Sequence, residues 1–121
     1  MKLKTKAAAL RRSPCAVACT LDLVGDKWSL LVIRDLLQGN VTYGELQNSR
    51  EGIPTNILAD RLKKLEQAGL ISRSPYQQHP VRYRYALTAK GESLKDVVRA
   101  IVQWGKENIP GTVALSRRAT S

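Results

Sequence analysis

Gly52-Ile53-Pro54-Thr55-Asn56-Ile57-Leu58-Ala59-Asp60-Arg61-Leu62-Lys63-Lys64-Leu65-Glu66-Gln67-Ala68-Gly69 is the stretch on which the reading of this chain turns. Leu58, Leu62 and Leu65 fall at i, i+4 and i+7 with Ile57 beside them, the spacing of one buried helix face. Glu51 to Pro54 reads as a turn. Thr55 reads as the helix cap, and Gly69 as the stop that ends the helix at Gln67 or Ala68. With the leucines inward, the outward face presents Thr55, Asn56, Ala59, Asp60, Lys63 and Lys64, with Arg61 at its flank. That face is small and polar at its start and basic further along. Asn suits the edge of an adenine, Thr a base or a phosphate, and Lys the backbone of a DNA groove. Pro54, Thr55, Asn56, Asp60, Arg61, Lys63 and Lys64 are therefore candidate contacts. A merely solvated amphipathic helix would look the same, so the neighbours decide.

Upstream, Thr42 stands three residues before Glu45, the capping-box spacing, and opens a short helix with Tyr43 and Leu46 inward. Thr42 joins the candidate contacts. Before it, Asp26 caps a helix carrying Trp28, Leu31, Val32, Asp35 and Leu36, which ends before Gly39-Asn40. Ser13-Pro14 starts the first helix, where Val17, Leu21 and Val24 recur until Gly25. Downstream, Leu70–Ser74 reads as a short strand and Pro75–Pro80 as a polar tip. Val81–Leu87 alternates as a half-exposed strand. Arg73, His79, Arg82 and Arg84 lie on or beside this hairpin, with no acid between Gln67 and Lys90. Alternation puts Arg82 and Arg84 on one face and Val81, Tyr83 and Tyr85 on the other. A basic hairpin of this kind follows phosphates or enters the minor groove. Thr88 caps one long last helix with Leu94, Val97, Val98, Ile101, Val102 and Trp104, and Ile109-Pro110-Gly111 closes the fold. The fold class is mainly α with a small β hairpin, in the element order of a winged helix-turn-helix.

Composition agrees. The chain has 121 residues and a net charge of +10, from 20 Lys and Arg against 10 Asp and Glu. Lys2, Lys4, Lys6, Arg11 and Arg12 concentrate five of those bases in the first twelve residues, and Arg117 and Arg118 lie near the other end. Such a balance favours a polyanionic partner, double-stranded DNA before an acidic membrane. Residues 1–12 read as a flexible basic arm, 13–110 as the folded domain and 111–121 as a flexible tail. With two Trp, four Tyr and no Phe, the core rests on aliphatic side chains. No apolar run is long enough for a membrane span or a signal-peptide core, which implies a cytoplasmic protein.

In this order and spacing the chain resembles the HxlR-type regulators, a branch of the MarR-like winged-helix proteins. The resemblance runs from about Cys15 to Gly105. It rests on Cys15-Ala16-Val17, Leu21-Asp22-Leu23-Val24-Gly25-Asp26-Lys27-Trp28, Ile33-Arg34-Asp35-Leu36, Tyr43-Gly44-Glu45-Leu46, the run from Gly52 to Leu62, Leu65 to Leu70, and Tyr85-Ala86-Leu87-Thr88-Ala89-Lys90-Gly91. It implies a homodimer held by the first and last helices, with two recognition helices and two wings on a pseudopalindromic operator. Leu21, Val97, Ile101 and Trp104 are then the interface candidates, and the apolar surface of the last helix exceeds what one small domain readily covers. Two departures stand out. Pro14 precedes Cys15 instead of following it, and Arg84 replaces a Glu that the family often carries, which makes the wing more basic.

Some members of that family resemble redox or electrophile sensors acting through this cysteine. Cys15 is expected in the first turn of a helix, where unpaired amides favour thiolate, with Cys19 one turn on. That spacing suits a bond across a dimer better than one within a helix. Both could equally be small buried residues. A small-molecule effector between the first, second and last helices is a further alternative, although Trp28 and Trp104 there read as core anchors. A winged helix that binds protein instead of DNA is another, against which the basic wing argues. No nucleophile–base pair, phosphate loop, metal cluster or cofactor motif is present in the sequence, and His79 is its only histidine. An enzyme is therefore not expected.

Overall fold

The computed structural model describes residues 13–115. The basic arm, residues 1–12, and residues 116–121 of the tail lie outside the described residues. Among the described residues six helices and one hairpin follow in order: α1 (Ala16–Val24), α2 (Ser29–Leu37), α3 (Tyr43–Gln47), α4 (Thr55–Gln67), β1 (Ile71–Gln78), β2 (Val81–Leu87), α5 (Ala89–Glu92) and α6 (Lys95–Asn108).

The buried core is aliphatic throughout. Val24 of α1, Val32, Ile33 and Leu36 of α2, Leu46 of α3, and Leu58, Leu62 and Leu65 of α4 meet Ile53, Leu70 and Ile71. The three leucines of α4 are those the heptad-like spacing selects. Burying each is worth about 2 kcal/mol, so this face fixes the helix's rotation about its own axis. Trp28 packs half-buried against the core, whereas Trp104 is 61% exposed and anchors nothing there.

Several boundaries differ from the sequence reading, each for a local reason. Ser13 does not cap α1 with Pro14 as its first residue. Cys15 is the cap, and the Ser13 hydroxyl accepts from the Cys15 amide at 3.1 Å. Pro54, not Thr55, is the extended residue before α4, and Thr55 is its first helical residue. The hairpin is longer and its turn tighter than expected. Pro75 does not end β1 but pairs with Tyr83, and a bulge at Tyr76 restores the ladder at Gln77 and Arg82. In a two-stranded sheet both strands are edges, which tolerate proline. A third short piece joins β2, for the Tyr85 amide donates to the Val41 carbonyl at 2.7 Å and Thr42 bridges Arg84.

The last helix is two helices. Thr88 caps only the four-residue α5, through a bond from the Gly91 amide, and the chain restarts at Leu94 to form α6. Gly91 permits the close packing of α5. A Cβ there would stand 2.0 Å from the Leu70 carbonyl oxygen, so only glycine lets α5 approach the entry to β1. Beyond α6, the Thr112 hydroxyl shares the Gly105 and Ile109 carbonyls, and Gln38 Nε2 donates to the Leu115 carbonyl at 2.7 Å. Residues 112 and 115 thus keep hydrogen bonds to α6 and to the end of α2.

Candidate nucleic-acid interface

Helix α4 is held at its start, middle and end by side chains from three other parts of the chain. At the start, the Tyr43 phenol donates to the Thr55 carbonyl at 2.8 Å and shares a second bond with the Thr55 hydroxyl. In the middle, Arg61 Nε donates to Asp26 at 2.8 Å, and its Nη1 pairs with Asp60. At the end, the Lys90 ammonium donates to the Ala68 carbonyl at 2.9 Å and the Thr88 hydroxyl to the Gly69 carbonyl at 2.6 Å. The Ala68 carbonyl is one of those a helix C-terminus leaves without partners, where a cation is favourable.

Asp26 is the hub of the middle anchor. Its carboxylate accepts from the Trp28 and Ser29 amides at 2.9 and 3.0 Å and from the Ser29 hydroxyl, so it closes the turn that leads into α2, although Trp28, not Asp26 as the sequence implied, is the cap residue of that helix. Partial burial alone pushes this carboxyl up. The bonds from the Ser29 hydroxyl, the Trp28 amide, Arg61 and the Ser29 amide outweigh it and bring it to about 2. A parallel tie secures the turn before α4. Arg34 Nη1 lies 2.9 Å from Glu51 and its Nη2 2.9 Å from the buried Asp35. Burial pushes the Arg34 guanidinium down, but the bonds and charges of Glu51 and Asp35 raise it above its ordinary value.

This frame decides which predicted residues remain available. Pro54, Thr55, Asn56, Lys63 and Lys64 are exposed, as is Asp60. Asp60 lies 3.4 Å from Lys64 and also pairs with Arg61. Arg61 is only 20% exposed and is committed to two carboxylates, so it positions α4 instead of offering a free cation. Thr42 uses its hydroxyl in a complete capping box with Glu45 and stands beside Arg84. On the hairpin, Arg82 and Arg84 are exposed while Tyr83 and Tyr85 are half-buried, the alternation the sequence shows. Burial raises the Tyr85 phenol above its ordinary value, against the nearby charge of Arg73. Arg73 belongs to the tyrosine side. Its guanidinium lies over the Tyr83 ring and 3.5 Å from Glu66 of α4, so it ties the hairpin to the helix. His79 is exposed at the turn.

The other predicted residues fall on α1 and α6. Cys15 is exposed at the cap of α1, one residue before its first turn, and its side chain makes no capping bond. Cys19 is half-buried and its thiol donates to the Ser13 carbonyl at 3.1 Å. Leu21, Val97, Ile101 and Trp104 are all exposed. Helix α6 packs on α2 through its half-buried side, and among the described residues its apolar face with Val97, Ile101 and Trp104 stays exposed. Sequence reasoning missed the positioning roles of Arg34, Tyr43, Thr88 and Lys90. Only Thr88, as a cap, left a signal.

Residues 23–112 match the HxlR-like helix-turn-helix family. Among curated relatives, the chain is 38% identical over 95 residues to Mb3122 of Mycobacterium bovis, an HTH-type transcriptional regulator, covering 78% of this chain. It spans 60% of the length of that relative. Among solved structures, a MarR-family transcriptional regulator from Porphyromonas gingivalis superposes with a TM-score of 0.74 at 34% identity, over 80% of this chain and 95% of the other. The redox regulator HypR in its oxidised form superposes with a TM-score of 0.70 at 31% identity, over 78% and 97%.

Proposed function

Because the chain belongs to the HxlR-like helix-turn-helix family, and its relatives are transcriptional regulators and not enzymes, we propose that it is a sequence-specific DNA-binding transcriptional regulator acting as a homodimer. The observation that carries this reading is the state of α4. Its buried leucine face and three anchors fix its orientation while Thr55, Asn56, Lys63 and Lys64 stay exposed. Rigid presentation of a polar helix start is what base readout requires. Pro54, Thr55 and Asn56 face base edges, Lys63 and Lys64 the backbone, and Arg82 and Arg84 of the wing the flanking phosphates. His79 rides at the wing tip, and Thr42 lies where the short helix meets the wing. The folded domain, residues 13–110, is the reading unit, and the basic ends add salt-sensitive attraction.

The dimer is supported by exposed apolar side chains on the two helices implicated. Val17 is 66% exposed and Leu21 54% on α1, and Ile101 is 51% and Trp104 61% on α6, beside Val97. A soluble chain rarely leaves such residues together without a partner. Two-fold pairing places two recognition helices about one helical turn of DNA apart, on a pseudopalindromic operator. Occupying a promoter in this way suffices for repression. A redox response through Cys15 is favoured by its exposure at the start of α1, a proposed dimer helix, and by the likeness to HypR. Cys19, one turn on, is the second thiol of that response. No helix among the described residues is long and apolar enough to cross a membrane, and we place the protein in the cytoplasm.

The test is a titration of the purified protein, reduced and oxidised, against its own upstream region and sheared genomic DNA at several salt concentrations. Tight binding to the upstream fragment that survives competitor establishes the regulator, and its loss on oxidation establishes the cysteine response. Weak binding to every DNA that vanishes with salt leaves charge alone at work and sinks the proposal.

A further inference from the structure

Asp60 stands at the middle of the outer side of α4. Asn56, Asp60, Lys63 and Gln67 recur at i, i+4, i+7 and i+11, and all four are exposed. They form the stripe opposite the buried Leu58, Leu62 and Leu65. An acid on that stripe opposes binding to any polyanion, because phosphates repel it. Little stability rests on it. Arg61 already has a partner in Asp26 at 2.8 Å, and the bridge from Asp60 to Lys64, at 3.4 Å, is an exposed one of the kind that contributes least. Glu66, the other acid of α4, turns instead to Arg73 of the hairpin.

The fold gives this carboxylate a fixed position. Asp26, from the turn before α2, holds Arg61, and Arg61 Nη1 pairs with Asp60. A guanidinium anchored on one side thus orients the acid on its other side, while the Asp60 side chain stays 46% exposed. Ala59 beside it and Asn56 one turn earlier are short, so the helix can approach a groove floor closely enough for an aspartate to reach it.

We propose that Asp60 is a specificity-determining residue whose carboxylate accepts a hydrogen bond from the exocyclic amine of one cytosine in each half-site. The inference rests on the DNA-binding reading. In the major groove a carboxylate finds base donors only at cytosine N4 and adenine N6. Adenine sets its N7 acceptor beside that amine, and guanine and thymine present acceptors alone, so each of these repels the anion. The charge that costs affinity for every sequence therefore excludes three of the four bases at one position. Arg61 is the positioning residue behind it.

The test is selection by the full chain from a duplex library randomised across two helical turns, followed by competition titrations on the selected duplex. The unaltered protein is expected to retain cytosine at one position in each half-site, preferred at least about fivefold over the other bases. Asp60→Ala removes that preference and leaves the other positions as they were. Asp60→Asn, with the same shape and no charge, moves it to adenine, whose N6 and N7 an amide can bond together. Urea denaturation confirms that each variant folds. Two results overturn the role of Asp60: Asp60→Ala selects the same base at every position, or it binds all sequences more tightly by one common factor, which would leave Asp60 a repulsive charge and nothing more. Either can occur in a protein that still reads a specific site, and the DNA-binding reading then stands. An unaltered protein that selects no sequence overturns both.

Discussion

Replacing Asp26 separates two tasks that one carboxylate performs. It caps the turn into α2 and holds Arg61 of α4 at 2.8 Å. Asp26→Asn keeps a good capping oxygen but loses the charge, whereas Asp26→Ala loses both. A helix cap contributes about 1 kcal/mol, and a charge-assisted bond from a largely covered guanidinium about 1–2 kcal/mol. Asp26→Ala is therefore expected to cost about 2–3 kcal/mol and Asp26→Asn about 1 kcal/mol. The pH dependence gives an independent handle. The Asp26 carboxyl titrates at about 2 in the fold against an ordinary 3.8. As pH falls, the unfolded chain takes up this proton first, so the contribution is complete above about pH 4 and is lost as pH drops through about 2. At face value the shift corresponds to about 2 kcal/mol, but the side chain is 29% exposed and solvent screening reduces this to about 1 kcal/mol. Urea denaturation at fixed protein concentration, repeated from pH 6 to pH 2.5, measures both quantities. The stability gap between the unaltered protein and Asp26→Asn should narrow on acidification. If the two profiles run parallel, or if Asp26→Ala costs no more than Asp26→Asn, Asp26 is not the hub described.

Trp104→Glu puts a charge on the exposed face of α6 and should yield a folded monomer by light scattering, with operator affinity down by at least about two orders of magnitude. Arg82→Ala should weaken all DNA sequences alike and lower the slope of log affinity against log salt by about 1, whereas Asn56→Ala should relax preference at one base pair by about 1–3 kcal/mol in competition titrations. Tyr43→Phe loses both bonds to Thr55 and should cost about 1 kcal/mol in stability, with a larger loss for operator than for non-specific DNA. Gly91→Ala drives a methyl into the Leu70 carbonyl and should destabilise the fold by about 3 kcal/mol or more in thermal melts, as overpacking against backbone does.

How much was legible in the sequence follows from which signals are local. The period of Leu58, Leu62 and Leu65 states which side of α4 is buried, and the structure buries those three. The box formed by Thr42 and Glu45, the turn closed by Asp26, and the alternation of Arg82 to Tyr85 are likewise set within a few residues. Together they specify the winged helix-turn-helix and the polar face of α4. Other features depend on groups far apart in the chain. Arg61 reads as a helix-flank cation until Asp26, 35 residues earlier, is brought against it. Lys90 reads as an ordinary surface base until it closes the end of α4 through the Ala68 carbonyl, 22 residues away. Pro75 reads as the end of a strand, because only the register shows that a bulge absorbs it. Trp104 reads both as a core anchor and as an interface residue, and only packing shows that, among the described residues, it stays exposed with Val97 and Ile101. The sequence by itself determined the order of the elements and, for α4 and β2, their inner and outer faces, because these depend on spacing. Tertiary structure decided which charges are spent inside the fold and which remain free, because that depends on distances between segments that no local pattern encodes.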